Sequence, residues 1–89
     1  MKMGKKIGIS IGNNFFIAHI TERGVHKIQK YPRNKEGMKA LMEELNDETV
    51  VGLEETEWTQ DFINDIEPLI KEYIVLNHES LMFFTSTYK

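Results

Sequence analysis

Eighty-nine residues, 40% of them hydrophobic and 28% charged, suffice for one small globular domain and exclude a disordered, collagenous or wholly coiled-coil chain. The sequence holds no cysteine, which excludes a disulfide framework, a thiolate metal site and a cysteine nucleophile, and fits a reducing, cytoplasmic setting. The net charge of −3 is unevenly spread: residues 1–42 carry nine Lys/Arg against two acids, and residues 43–89 carry two against twelve. A uniformly basic nucleic-acid binder is thereby excluded, but a domain with one basic and one acidic flank is not.

No run approaches ~18 apolar residues, so no membrane span is expected. The basic start is followed by alternation instead of a solid apolar segment, so no signal peptide is expected either. The first strand is predicted over about 5–11. Ile7, Ile9 and Ile11 share one face, while Gly8, Ser10 and Gly12 leave the other nearly bare. Gly12-Asn13-Asn14 signals a turn. The second strand, about 15–21, is apolar on both faces, with Phe15, Ile17 and His19 opposite Phe16, Ala18 and Ile20, and so is expected to be covered on both sides. Glu22-Arg23-Gly24 makes a short hairpin turn into a third strand, about 25–31. Its lysines suit a sheet edge, and Pro32 ends it.

The period then changes. Met38, Leu41, Met42 and Leu45 form one helical stripe over about 35–46, with Asn34 as the cap. Residues 49–53 form a short buried strand. A helix follows from Thr56 or Thr59, with Phe62, Ile66, Leu69, Ile70 and Tyr73 as its stripe; Pro68 inside it predicts a kink or a break. Ile74-Val75-Leu76 is the fifth strand, and Asn77 caps a last helix to about Thr87. The predicted class is α/β: a mixed sheet in the order βββαβαβα, three strands antiparallel and then two parallel, with helices packed on it.

That order, with Ile7–Phe16, Tyr31–Leu41, Val50–Trp58 and Ile74–Asn77 at these spacings, resembles the ribonuclease H-like fold. More narrowly, it is similar to the N-terminal part of the RuvC-like DEDD insertion-sequence transposases. The corresponding family segments run in the manner of VGIDVSKDTF, FPNTPEGFKAL, VVVGMEATGGYW and VVLVNP. The resemblance covers about residues 5–80. It implies carboxylates that hold two divalent metals about a scissile phosphate. The first family aspartate falls on Ser10, whose hydroxyl is a poor ligand; the second acid falls on Glu54; the third and fourth would lie beyond residue 89. The family's downstream segment with its catalytic serine also has no counterpart here. The implied protein is therefore a catalytically inactive, transposase-derived domain with no cofactor, Mg²⁺ entering only if a second chain supplies the missing acids. The opening Gly8–Gly12 also resembles the phosphate-binding hairpin of sugar kinases and actin-like ATPases, whose aspartate again falls on Ser10; those enzymes close two lobes over a nucleotide, which 89 residues do not build.

Other residues carry weaker signals. Glu54 reads equally as an acid near a helix start, where Glu55, Glu57 and Asp61 also lie. His19, His26 and His78 share no metal-ligand spacing; His19 is expected to be a hydrogen-bonded core residue and His26 a solvated one. Lys27, Lys30, Arg33, Lys35 and Lys39 could contact phosphate, although lysines also protect an edge strand, and no base-reading motif accompanies them. Leu81, Met82, Phe83, Phe84 and Tyr88 make an apolar tail, of which one face can pack on the sheet. With the bare face of the first strand, that tail points to a partner, either a second copy or another chain. The expected function is a binding or regulatory module that works by self-association, with no membrane contact. The alternatives are a nuclease fragment completed in trans, a weak nucleic-acid-binding domain using the basic edge, and a decayed reading frame without selected function.

Overall fold

A computed structural model describes residues 4–85. In chain order its elements are β1 (Lys5–Ile11), β2 (Phe15–Glu22), β3 (Val25–Pro32), α1 (Lys35–Met42), β4 (Thr49–Glu54), α2 (Thr59–Ile66), a 3-10 turn (Glu67–Leu69), β5 (Glu72–Leu76) and α3 (His78–Thr85). The five strands form one sheet in the order β3-β2-β1-β4-β5. β1 and β2 pair antiparallel, as do β2 and β3, whereas β4 runs parallel to both β1 and β5. This is the mixed sheet the sequence predicts, with β1 at its centre. No described helix is long and apolar enough to cross a membrane.

The period-2 pattern sets the core. Ile7, Ile9 and Ile11 of β1, Phe16, Ala18 and Ile20 of β2, and Val51 and Leu53 of β4 are buried on one face. α1 adds Leu41 to this layer, and α2 adds Phe62, Ile63 and Ile66. Phe16 meets Phe62 edge to face, with ring centres 4.9 Å apart. Asn34 caps α1 as predicted, its side chain accepting from the Gly37 N–H at 2.8 Å.

The β2–β3 hairpin closes through Arg23 (φ 55°) and Gly24 (φ 79°), since Glu22 pairs with Val25. Two left-handed residues in succession are the geometry that matches the right-handed twist of the strands. On the opposite face of the sheet α3 lies across β1 and β4. Leu81 is 1% exposed there, and Phe84 rests on Gly52.

Several elements differ from expectation. α1 ends at Met42, four residues early, where Glu43 and Glu44 turn the chain and leave Leu45 half-buried. α2 stops at Ile66, because Pro68 lacks the N–H a continuing helix needs, and one 3-10 turn follows. Tyr73 therefore belongs to β5 and not to a helical stripe, and Leu69 is exposed. β2 is covered on one side only: Phe15 is exposed and Ile17 and His19 are half-buried, because α3 spans β1 and β4 and leaves the β2–β3 half of its face open. His19 is accordingly not a core residue.

Candidate functional site

The parallel pairing of β1 with β4 runs Lys5↔Thr49 through Ile9↔Leu53. The next residue on each strand is Ser10 and Glu54, so these two lie side by side on the same face at the carboxyl ends of adjacent parallel strands. Both are half-buried. Behind Ser10 the chain turns at Gly12, whose N–H donates to the Phe15 carbonyl at 2.8 Å. Beyond Glu54 a net of threonine bonds forms the entry to α2. Thr59 Oγ1 donates to the Glu54 carbonyl at 2.6 Å and accepts from the Thr56 N–H at 2.7 Å. Glu55 and Glu57 are exposed. Among the described residues no three His, Asp or Glu side chains gather where one cation could bind them. The donor set at the strand ends is one neutral hydroxyl and one carboxylate, which does not fit a two-metal centre.

The five basic residues do not form one surface. Lys27 and Lys30 are three apart on a strand and so face opposite sides of the sheet. Lys27 Nζ lies 3.6 Å from a Glu44 carboxylate oxygen, whereas Lys30 Nζ sits 4.1 Å from the centre of the Phe15 ring on the open face. Arg33 Nε donates to the Asn13 carbonyl at 2.8 Å, and its guanidinium lies 4.1 Å from the centre of the Trp58 ring. Lys35 and Lys39 line a groove of about 510 Å³ between α1 and α2, with Trp58, Met38, Met42 and Phe62 as its apolar part and Asp61 and Asp65 across from them. Trp58, which stacks on Arg33, arrives from the start of α2, 25 residues after Arg33. A lone tryptophan beside a helix start was its one sequence signal.

No protein-family model matches this sequence, and no curated protein does. Among solved structures the chain is similar to a protein of unknown function with an actin-like ATPase fold from Bacteroides thetaiotaomicron VPI-5482. The TM-score is 0.68 at 13% identity, over 97% of this chain and 39% of that one. The likeness is one of fold, and this chain spans about two fifths of that protein.

The remaining candidates fall on the α3 side of the sheet. His19 and His26 are diagonal neighbours across β2 and β3, with ring centres 5.9 Å apart. The His19 imidazole is held below its ordinary value of 6.5, first by burial and second by His26. On α3, Leu81 is enclosed within this chain, which removes it from the expected interface. Phe84 is half-buried under Lys6, whose Nζ lies 5.3 Å from the ring centre. The face of β1 around Gly8 is thus covered and Gly8 is buried, because glycines there admit the helix. The side chains of Met82 and Phe83, and all of Tyr88, lie outside the described residues. Apolar side chains that stay exposed on this face include Phe15 and Ile28, the last 60% exposed, with Ile17 half-buried beside them, and Ile74 of β5 at the other edge of the sheet.

Proposed function

We propose that this chain is a ribonuclease H-like domain of transposase descent that cleaves nothing by itself and acts as a cytoplasmic binding or regulatory module through self-association. The likeness of fold to a protein with an actin-like ATPase fold supports the wider fold group. The observation that carries the inactive reading is the pairing of Ser10 with Glu54 at the strand ends: a hydroxyl stands where a metal-holding carboxylate is needed. Self-association is supported by Phe15 and Ile28, exposed apolar side chains on the half of the sheet face that α3 leaves open. The proposed interface therefore includes β2 and β3; of the expected tail residues only Leu81 is withdrawn, because it is buried within this chain.

Size-exclusion chromatography with light scattering tests the association. The wild type at tens of micromolar is expected to run as a dimer and Ile28→Glu as a monomer with unchanged circular dichroism. A monomeric wild type would overturn self-association. Incubation with duplex and branched DNA in Mg²⁺ or Mn²⁺ tests the rest: cleavage that disappears in Glu54→Gln would overturn the inactive reading in favour of a nuclease completed by further acids.

A further inference from the structure

The groove between α1 and α2 is outside the strand-end site and outside the open sheet face. We infer that it docks an amphipathic helix of a partner polypeptide, whose apolar stripe rests on Trp58, Met38 and Met42, whose acidic flank faces Lys35 and Lys39, and whose basic flank faces Asp61 and Asp65.

Four features carry this. The first is shape: the groove holds about 510 Å³ and runs between two eight-residue helices, each about 12 Å long, which is the length of two helical turns. The second is its floor. Phe62 is buried and fixed, while Met38 and Met42 are half-buried, unbranched and able to adapt to an entering side chain. The third is Trp58, a residue type that dominates binding energy at centres of interfaces. Its ring is held by the Arg33 guanidinium, itself tied to the Asn13 carbonyl, so little ordering remains to be done on binding.

The fourth is charge. Lys35 and Lys39 are spaced i, i+4 on α1, and Asp61 and Asp65 are spaced i, i+4 on α2, so each pair presents one ridge of its helix. Among the described residues no ion pair crosses the groove, so both walls meet an occupant with their charges uncompensated by each other. A nucleic acid would bring phosphates against Asp61 and Asp65, which argues against it. Helices of a second copy suit the groove poorly, because Leu41 of α1, Phe62, Ile63 and Ile66 of α2, and Leu81 of α3 are buried in their own core. A polypeptide helix with unlike flanks satisfies both walls at once.

The test uses three labelled helical peptides of about 14 residues, long enough to hold helix, with one leucine stripe and flanks of Glu and Lys, of Glu alone, or of Lys alone. Fluorescence anisotropy with the whole chain should rank the Glu/Lys peptide tightest. Lys35→Glu with Lys39→Glu makes both walls acidic; it should weaken the Glu/Lys peptide about tenfold and move the preference to the all-Lys peptide. Trp58→Ala should abolish binding of all three, and the exposed charge variants keep the test decisive if Trp58→Ala does not fold. Equal binding of the three peptides by wild type, or an unchanged ranking in the charge variant, would overturn the inference. So would displacement of the peptide by single-stranded oligothymidylate, which would mark a nucleic-acid groove. A dimer converted to monomer by the charge variant would overturn it in favour of a second copy, whereas the Ile28→Glu experiment leaves this groove intact and reports on the sheet face separately.

Discussion

The ring of Phe84 lies so close to Gly52 that a Cβ on that glycine would stand 2.7 Å from a ring carbon. Gly52 pairs with Gly8 on β1, and the two bare positions form the seat on which α3 rests. Gly52→Ala forces the helix outward and is expected to lower stability by about 1–3 kcal/mol. Phe84→Ala leaves the seat unfilled and should lower it by about 2–3 kcal/mol. Urea denaturation of both variants checks this; an unshifted midpoint for Gly52→Ala would show that α3 does not bear on the sheet.

Arg33 joins three parts of the molecule: the end of β3, the β1–β2 turn through Asn13, and the start of α2 through Trp58. Lysine keeps the charge but loses the planar fork and its stacking. Arg33→Lys is expected to reduce stability by about 1 kcal/mol. Trp58 is the one tryptophan of the chain, so its emission reports the loss directly: it should shift to the red as the ring gains water.

The His19 imidazole titrates below its ordinary value of 6.5 in the folded protein. Between the folded and unfolded values the unfolded chain binds the proton that the folded one refuses, so stability rises with pH across that window. Stability from this group is fully present above pH 6.5 and is lost as the pH falls through the lowered folded value. Thermal melts from about pH 8 down to about pH 5 should show the decline in wild type and a shallower one in His19→Gln. Equal slopes would refute the assignment to His19.

The hairpin residues allow a stability gain. Arg23 holds φ at 55°, a conformation that asparagine tolerates better than arginine. Arg23→Asn should raise stability by up to about 1 kcal/mol. At Gly24 (φ 79°) a Cβ would meet nothing within 4 Å, so Gly24→Ala tests backbone strain alone and should destabilise by about 1 kcal/mol. Matched midpoints for the two variants in guanidinium would contradict the hairpin geometry.

Much of the fold was legible residue by residue. Alternation in Ile7–Ile11 and Phe16–Ile20 is a local property of a pleated strand, and the structure keeps it. The Asn34 cap and the break at Pro68 are likewise local, since each depends on hydrogen bonds within a few residues. The end of α1 was not legible, because Leu45 continues the stripe while the chain must already turn toward β4. Exposure of His19 was not legible either: both faces of β2 are apolar enough for burial, and the extent of α3 decides which one is covered.

For the site, strand register brought Ser10 and Glu54 together; the order of elements implied only that the first and fourth strands lie side by side. The basic residues behaved otherwise. Their clustering along the chain suggested one patch, but the period of two sends Lys27 and Lys30 to opposite faces. By itself the sequence determined which residues alternate, that Asn34 caps α1 and that α2 breaks at Pro68, because these depend on neighbours a few residues away. Only the tertiary structure decided that Trp58 meets Arg33, that Lys35 and Lys39 face Asp61 and Asp65 across one groove, and that Phe15 and Ile28 stay open. Each of these depends on where separate elements pack on one sheet, and packing is a contest among many apolar surfaces that no single segment records.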